Sequence, residues 1–387
     1  MREDFLLLNP GPVPVSHAVT QAMDTPVISR RSAAFTELFE SVRSSFRELL
    51  ATSTVDGGRV SATGEPLVFN GTGTMALEAG ISNVVDPDDE VVAIVNGVFG
   101  DRMAEIAKRY ASVTVVETPW GTPIEQSVIE DAVSDETALV TLVHNETSTG
   151  LANAVAPVGE IAAAHDALFL VDGISSIGGM DFRFDEWDVD IAVTDPQKAL
   201  GAPPGISLML ASPEAQAAID GSRGAFYLDL ETHLEAADRG QTPYTCASPQ
   251  VRALAVALEQ IDAEGMPARI ARHNRFAEAV RAGMTAMGLE LFPAPNEMGA
   301  YSATLTAVSV PEDVDLEAFD AELAGRGVSV GGGLGPLAGE LFRFGNMGAL
   351  SDDQIIRGVY AVGHALCSGG YDADIQAGLD ATERVIR

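Results

Sequence analysis

The sequence predicts an α/β protein whose main β-sheet is mostly parallel and covered by helices on both faces. Five short apolar runs rich in β-branched residues are the first observation, at residues 90–95, 138–143, 167–171, 190–193 and 206–210. The second is that helical patterns, such as residues 101–110 and 157–165, lie between several of these runs. Strands that are apolar on both sides and alternate with helices are typical of a buried parallel sheet.

Polar motifs follow four of these runs directly. NGVFG follows the first run, HNETSTG the second, DGISS the third and DPQK the fourth. In open α/β sheets, ligands bind outside the carboxyl ends of the strands. We therefore expect the four motifs to meet at one site.

The last third of the chain has a different pattern and indicates a smaller α+β domain. Residues 248–288 are helical with a break at Gly265-Met266-Pro267, and residues 303–310 alternate like a half-exposed strand. A helix at 316–325, extended segments at 328–330 and 341–344, and a helix at 351–367 follow. We predict an N-terminal arm at residues 1–15, a large domain at 16–255 and a small domain at 256–387.

The composition limits the location of the protein. Hydrophobic residues make up 46% of the 387 positions, yet no apolar run approaches the roughly 18 residues that indicate a membrane span. The N-terminal residues lack the pattern of a secretory signal. The two cysteines, Cys246 and Cys367, indicate neither a disulfide framework nor a metal site. These features favour a cytoplasmic protein without a membrane partner.

The net charge of −33 is the most unusual property of the composition. The acidic residues are spread along the chain beside a regular apolar pattern, which excludes a disordered acidic segment. Excess acid, scarce lysine and abundant alanine and glycine favour a salt-loving cytoplasm, although a basic partner or solubility would also account for the charge. A nucleic-acid partner is disfavoured because no basic patch is present to neutralise phosphates.

Lysine occurs only at positions 108 and 198, whereas arginine occurs 21 times. Positive charge is therefore retained while lysine is avoided. Lys198 follows a predicted strand, in the motif DPQK. Because an arginine side chain stays protonated and a lysine amine can lose its proton, we expect position 198 to require a neutral amine.

A glycine-rich loop, Gly71-Thr72-Gly73-Thr74, precedes a helical pattern. Backbone N–H groups and the positive end of a helix dipole suit a phosphate group at such a position. The loop contains neither a GxGxxG dinucleotide motif nor the GK[ST] ending of a P-loop. An ordinary capped helix start is the alternative.

Asp172 ends the run ALFLVD, and Lys198 follows the next strand, 26 residues later. Alone, a strand-end aspartate is as well explained by a turn or a helix cap. Together, the two residues match what a protein contributes to pyridoxal phosphate chemistry: an acid facing the pyridine nitrogen and an amine for the aldehyde.

The segments FLVDGISSIGG and DIAVTDPQKALGAPPGISLML resemble class V, fold-type I pyridoxal phosphate-dependent aminotransferases, specifically the alanine–glyoxylate and serine–pyruvate group. The likeness covers nearly the whole chain and includes LLLNPGPVPV, GTGTMALEAGISNVV, VNGVFGDR, HNETSTG, QTPYTCASPQVRAL and GGGLGPLAGELFRFGNMG. It implies a large domain with a mostly parallel seven-stranded sheet and a smaller α+β C-terminal domain. It also implies a homodimer with shared active sites.

The resemblance implies a role for each matching residue. Lys198 would form the Schiff base and shuttle the proton, and Asp172 would pair with the pyridine nitrogen. Arg343 would bind the substrate carboxylate through two hydrogen bonds. The remaining cofactor contacts would be Thr72, Gly73, Thr74 and Gln197 at the phosphate, Phe99 and Ile174 at the ring, Thr147 at the ring oxygen, and Tyr244 and Thr245 from the neighbouring subunit.

Several of these residues have a structural alternative. Phe99 would otherwise be a core residue, Thr147 a turn hydroxyl and Arg343 one partner of a surface ion pair. Gln197 and Tyr244 also have structural explanations. YTCASP departs from the commoner YTPA form, and Arg30 stands where relatives often have histidine, which makes the substrate harder to infer.

The resemblance implies a transaminase that works by a ping-pong mechanism. The expected donor is alanine or serine and the expected acceptor glyoxylate or pyruvate, with aspartate as another donor. A cysteine desulfurase is an alternative that requires Cys246 or Cys367 to be reactive. A non-catalytic cofactor-binding regulator is a third reading. A nicotinamide dehydrogenase lacks its dinucleotide motif.

Overall fold

The computed structural model describes residues 5–51, 62–221, 223 and 225–387, so the first four residues of the predicted N-terminal arm lie outside it. The strands are β1 (Leu6–Leu8), β2 (Glu65–Asn70), β3 (Glu90–Val95), β4 (Ser112–Glu117), β5 (Thr137–Val143), β6 (Asn145–Glu146), β7 (Leu151–Asn153), β8 (Leu168–Asp172), β9 (Ile191–Thr194), β10 (Ile206–Ala211), β11 (Gly299–Tyr301), β12 (Leu305–Ser309), β13 (Val328–Gly332) and β14 (Leu341–Gly345).

The helices are α1 (His17–Met23), α2 (Ala33–Ala51), α3 (Gly73–Ser82), α4 (Val98–Ala107), α5 (Gln126–Ala132), α6 (Ala156–Ala164), α7 (Pro213–Ala218), α8 (Leu230–Ala237), α9 (Ser248–Glu264), α10 (Met266–Ala286), α11 (Leu316–Gly325), α12 (Asp352–Ser368) and α13 (Ile375–Ile386). A single π-helical turn spans Pro196–Leu200. In the part of the chain described, no helix is both long and apolar enough to cross a membrane.

A seven-stranded sheet with the order β2-β10-β9-β8-β5-β3-β4 forms the centre of the molecule. Strand β10 is antiparallel to both of its neighbours, whereas β9, β8, β5, β3 and β4 run parallel. The five apolar runs of the sequence are β3, β5, β8, β9 and β10, with ends shifted by at most one residue. The predicted mostly parallel sheet of seven strands is confirmed.

Helices cover both faces of this sheet. On one face, Phe35, Phe39 and Phe46 of α2 and Val251 and Leu254 of α9 belong to one buried apolar cluster with the sheet. A second cluster on the other face contains side chains of α3, α4 and α8. Two separate buried layers explain why the central strands carry apolar residues on both sides.

A second sheet with the order β1-β13-β14-β12 packs against α10, α11, α12 and α13. The predicted break near residue 265 is confirmed, since α9 ends at Glu264 and α10 begins at Met266. The prediction that residues 303–310 form a half-exposed strand is wrong, because β12 is almost entirely buried. Val308 joins the core beneath it, and Ala307 lies against Gly150 of the HNETSTG loop.

The N-terminal segment joins the second sheet. Strand β1 pairs in parallel with β13, in the register Leu6↔Val328 to Leu8↔Val330. The chain then continues to Pro10, whose carbonyl lies 2.6 Å from the Nζ of Lys198. The division into an arm and two domains stays a prediction, and α9 runs across the predicted boundary at residue 256.

Gly159→Ala tests the packing of α6 against the segment that precedes β9. A Cβ at Gly159 would overlap the carbonyl oxygen of Trp187, which belongs to the backbone and has little room to move. We expect the free energy of unfolding to fall by about 1–3 kcal/mol, as for other overpacked sites. Chemical denaturation of both proteins measures this loss.

Gly325→Ala is the matched control, because nothing lies within 4 Å of a Cβ added there. Alanine is favoured over glycine within helices by up to about 1 kcal/mol, so this variant should be as stable as the wild type or slightly more so. Equal effects of the two substitutions would contradict the packing described for α6.

Candidate active site

A cavity of about 270 Å³ lies at the carboxyl ends of the parallel strands. All four polar motifs contribute to its wall: NGVFG after β3, HNETSTG after β5, DGISS after β8 and DPQK after β9. The residues that line it are Thr72, Gly73, Thr74, Leu77, Phe99, Arg102, Thr147, Asp172, Ile174, Asp195 and Lys198. Eight of the predicted site residues are therefore brought together.

Lys198 reaches the cavity from the π-helical turn after β9. Its backbone angles (φ −113°, ψ −134°) interrupt the helical geometry of that turn. The amine donates a hydrogen bond to the carbonyl of Pro10 (2.6 Å). Burial lowers the pKa of Lys198 to about 8; Asp195 and Asp172 oppose this shift, and Arg343 and Arg102 add to it. A substantial fraction of the amine is therefore neutral near pH 8.

The turn is held from the neighbouring layer by Arg269 of α10. Its Nη2 donates to the carbonyl of Ala199 and its Nε to the carbonyl of Gly178, each at 2.6 Å. The guanidinium is buried and is also paired with Glu264. Helix α10 thereby fixes the backbone beside Lys198.

Asp172 is the last residue of β8 and is only 4% exposed. Its Oδ1 accepts a hydrogen bond from the Ile174 N–H (2.8 Å). Burial raises the pKa of Asp172 to about 7, and the charges of Glu146 and Asp195 act in the same direction. The Ile174 N–H and Lys198 partly offset this rise. The site therefore favours a cationic N–H group next to Asp172, because such a group stabilises the ionised carboxylate.

The start of α3 forms a cradle for an anion. Thr72 is the N-cap of the helix, but its side chain makes no capping hydrogen bond. Arg102 donates to the hydroxyl of Thr74 (3.2 Å). A Cβ at position 73 would overlap the side chain of Ile174 and approach the carboxyl group of Asp195, so a larger residue there would have to displace them. Backbone N–H groups, hydroxyls and a guanidinium at a helix N-terminus suit a phosphate group.

Phe99 is positioned by a buried glutamate that the sequence reasoning missed. The Oε2 of Glu146 accepts hydrogen bonds from the N–H groups of Phe99 and Gly100, each at 3.1 Å, at the start of α4. Its Oε1 accepts from both the N–H and the hydroxyl of Ser148. Burial raises the pKa of Glu146. The signal in the sequence was the acid within HNETSTG, next to Thr147.

Arg343 lies on β14 and is 6% exposed. Its Nε and Nη2 donate to the carbonyl of Gly332 (3.0 and 2.6 Å), and its Nη1 donates to the carbonyl of Thr147 (3.1 Å). The alternative of a surface ion pair is wrong, because the guanidinium is buried and these partners are carbonyl groups. Burial lowers its pKa to about 10.

Arg343 is not itself part of the cavity wall, and three predicted cofactor contacts, Gln197, Tyr244 and Thr245, also lie outside it. Gln197 donates to Asp195 (2.7 Å). Tyr244 stacks on Tyr227 at 5.0 Å between ring centroids, and its hydroxyl donates to the carbonyl of Phe226. The Thr245 carbonyl accepts from Asn70, the residue that precedes the glycine-rich loop at Gly71. Their contacts with the cofactor stay predictions.

Two further residues of the cavity wall were missed from the sequence. Arg102, four residues beyond Val98, contacts Thr74 and lies over the Phe99 ring, with 4.9 Å between the guanidinium carbon and the ring centroid. Asp195 accepts from the Gly73 N–H (2.9 Å). Both stand within quoted motifs, VNGVFGDR and DPQK. Across the described ranges, no cluster of three histidine, cysteine or acidic side chains is suited to hold a metal ion.

Comparison with known proteins gives a consistent family. Residues 16–337 match the family model of class-V aminotransferases. The chain is 34% identical to the L-aspartate–glyoxylate aminotransferase of Paracoccus denitrificans, with 98% of this chain and 95% of that protein covered. It is 33% identical to the serine–glyoxylate aminotransferase of Hyphomicrobium methylovorum, with 97% and 93% covered.

A solved structure agrees with these sequence relatives. The alanine–glyoxylate aminotransferase of a Nostoc species superposes with a TM-score of 0.85 and 32% identity, covering 94% of this chain and 95% of that one. The fold, the cavity and the sequence comparison thus indicate the same family. The chain belongs to the class V aminotransferases, pyridoxal phosphate-dependent enzymes of fold type I.

Proposed function

We propose that this aminotransferase moves the amino group of alanine or serine to glyoxylate or pyruvate in a ping-pong reaction. The observation that carries the proposal is that Lys198 and Asp172 line one cavity and that Arg343 lies beside it, bonded to the carbonyl of Thr147 in the cavity wall. An amine of lowered pKa, a buried acid and a buried guanidinium are the groups that an amino acid and this cofactor require.

The described residues fit pyridoxal phosphate. The cradle at Thr72, Gly73 and Thr74 suits its phosphate, and Asp172 suits its protonated pyridine nitrogen. Phe99 offers a half-buried ring against which a pyridine ring can stack. When bound, the cofactor supplies an aldehyde for the amine and a ring that accepts the electron pair released at the substrate α-carbon.

Lys198 has two roles in this proposal. Its neutral amine would hold the cofactor at the aldehyde, and the same amine would accept the proton from the substrate α-carbon. Both roles need the unprotonated form, which burial favours at this position. The 2.6 Å contact with Pro10 holds the amine at the cavity.

Arg343 supports the choice of a small donor. Its side chain is held by the carbonyl groups of Gly332 and Thr147, so its guanidinium is fixed beside the cavity before any carboxylate arrives. Arg102, the guanidinium in the cavity wall, is bonded to Thr74 on the phosphate side. We therefore expect a donor with a second carboxylate, such as aspartate, to bind less favourably than alanine or serine.

The relatives support glyoxylate as an acceptor. The three proteins named above carry aspartate, serine and alanine in their names as donors, and all three share glyoxylate. Because relatives with different donors share glyoxylate, we expect this chain to use it as an acceptor as well.

The proposal includes a homodimer in a salt-rich cytoplasm. Phe226 is 84% exposed and stands next to Tyr227 and Tyr244, beside the Asn70 end of β2. An exposed aromatic patch so close to the phosphate loop suits contact with a second subunit. The net charge of −33 favours activity at high KCl concentration, where repulsion between carboxylates is screened.

The cysteine desulfurase alternative is less well supported. Neither cysteine lines the cavity. Burial raises the pKa of Cys246 to about 11, which disfavours the thiolate, and Cys367 lies on α12. A desulfurase needs a reactive thiolate that can reach the substrate.

Lys198→Ala should abolish the visible absorbance band of the lysine-bound cofactor and the response to L-alanine. In the wild type, alanine should remove that band and glyoxylate or pyruvate should restore it. Lys108→Ala is the matched control, because this exposed lysine pairs with Glu105 far from the cavity. A wild type that binds the cofactor but does not respond to alanine or serine would contradict the proposed donors.

The rate of covalent attachment at saturating pyridoxal phosphate should rise with pH and level off above about 8, the pKa of Lys198. The sign follows because the neutral amine is the nucleophile, and its fraction increases about tenfold per pH unit below the pKa. Stopped-flow absorbance measures this rate. A rate that is independent of pH from about two units below this pKa to about one unit above it would exclude the proposed role of the amine.

Arg343→Lys should lower kcat/KM for alanine by roughly 10- to 100-fold, because a hydrogen bond to a charged group contributes about 1.5–3 kcal/mol. The cofactor band should persist, since Arg343 is placed on the substrate carboxylate. Arg326→Lys is the control, as Arg326 pairs with Glu322 on α11. Unchanged kcat/KM in Arg343→Lys would show that the carboxylate is bound elsewhere.

A further inference from the structure

Asp195 holds two N–H donors that face the proposed phosphate position. It lies between β9 and the turn of Lys198 and is 4% exposed. Its Oδ2 accepts from the backbone N–H of Gly73 (2.9 Å) and from the side-chain Nε2 of Gln197 (2.7 Å). The first of these donors is at the start of α3, and the second belongs to a residue assigned to the phosphate from the sequence.

The other oxygen of the same carboxyl group is unpartnered. Oδ1 of Asp195 is buried and accepts no hydrogen bond. A buried carboxylate with half of its acceptors unused favours uptake of a proton. In agreement with this geometry, burial raises the pKa of Asp195 to about 6, while the Gly73 N–H, Gln197 and Lys198 hold it down.

The charges around Asp195 come from several elements. Lys198 shares its turn, Asp172 faces it from the end of β8, and Arg102 of α4 reaches the cradle through Thr74. Glu146 and Arg343 act on Asp172 and Lys198 from farther away. The cavity residues of α3 itself, Thr72, Gly73, Thr74 and Leu77, carry no titratable side chain.

We propose that Asp195 competes with the cofactor phosphate for the Gly73 N–H of the α3 cradle and for the side-chain N–H of Gln197, so that the phosphate binds only when Asp195 takes up a proton or turns away. The proposal rests on the assignment of the phosphate to this cradle. A phosphate dianion placed beside an ionised carboxylate would meet like-charge repulsion in a low-dielectric cavity. A protonated Asp195 could instead donate a hydrogen bond to a phosphate oxygen.

The affinity for the phosphate should therefore depend on pH through the ionisation of a single residue, Asp195. Below the range in which Asp195 ionises, it is already neutral and does not oppose the phosphate. Above that range, each binding event must take up a proton or move the side chain. The penalty therefore appears as the pH rises, and a neutral side chain at position 195 should remove it.

The test compares the affinity of the full chain, freed of bound cofactor by dialysis, for pyridoxamine 5′-phosphate. This probe has no aldehyde, so it does not bond to Lys198. Isothermal titration in concentrated KCl gives Kd for the wild type, Asp195→Asn and Glu297→Gln between about pH 5 and pH 8.5, a range that brackets the ionisation of a buried aspartate. Glu297 is exposed and controls for the loss of one negative charge.

The expected result is a ratio of Kd values, wild type over Asp195→Asn, that is close to one at the acidic end. It should rise to on the order of tenfold at the alkaline end, the effect of a change of about one pKa unit on binding. Glu297→Gln should match the wild type throughout. Pyridoxamine, which lacks the phosphate, should show no such ratio with either variant.

A ratio that stays at one across the pH range would overturn the proposal while leaving the cradle assignment intact. An equal ratio with pyridoxamine would also overturn it, because Asp195 would then act on the ring. Failure of pyridoxamine 5′-phosphate to bind any of the proteins would instead reject the phosphate assignment itself. If circular dichroism shows that Asp195→Asn is unfolded, Asp195→Ser, with a smaller neutral side chain, provides the same comparison.

Discussion

The parallel pairing of β8 with β9 is the constraint on which the active site depends. In this register Asp172 pairs with Val193, so both strands end at the same edge of the sheet. The turn of Lys198 begins at Pro196, two residues after the end of β9. Parallel strands deliver their carboxyl ends to one side because each crossover returns to the opposite edge. β3 and β5 add NGVFG and HNETSTG at that edge, and β2, antiparallel to β10, brings the α3 loop to it.

Burial then sets the chemistry of the groups that the sheet has gathered. Three acids, Asp172, Asp195 and Glu146, and the amine of Lys198 share a region that excludes most water. Desolvation disfavours every charge there, which raises the pKa of the acids and lowers that of the lysine. Desolvation thus favours the neutral amine of Lys198, and it makes the ionisation of the three acids sensitive to any cation or anion bound among them.

Backbone groups and buried side chains fix the reactive residues. Glu146 ties the start of α4 to the HNETSTG loop, Arg269 ties α10 to the lysine turn, and Arg343 is anchored by the Gly332 and Thr147 carbonyls. Two of these links, from Arg269 to the lysine turn and from Arg343 to Thr147, join the second sheet and α10 to loops that follow strands of the first sheet. The position of Arg343 relative to Lys198 is therefore determined by how the second sheet and α10 pack on the first.

The sequence by itself determined five of the seven strands of the main sheet, though not β2 or β4, together with the break near residue 265 and the chemistry expected of Lys198 and Asp172. These conclusions depend on local patterns: runs apolar on both faces, a glycine-proline interruption and a lysine retained where arginine is otherwise preferred. Tertiary structure alone decided the antiparallel placement of β10, the burial of β12 and the contacts of Glu146 and Asp195. Gly73 and Asp195 are 122 positions apart in the sequence, and only folding brings their hydrogen-bonding groups together. A pattern read along the chain carries no information on which buried acid will meet which N–H group, because that choice is made by packing between layers.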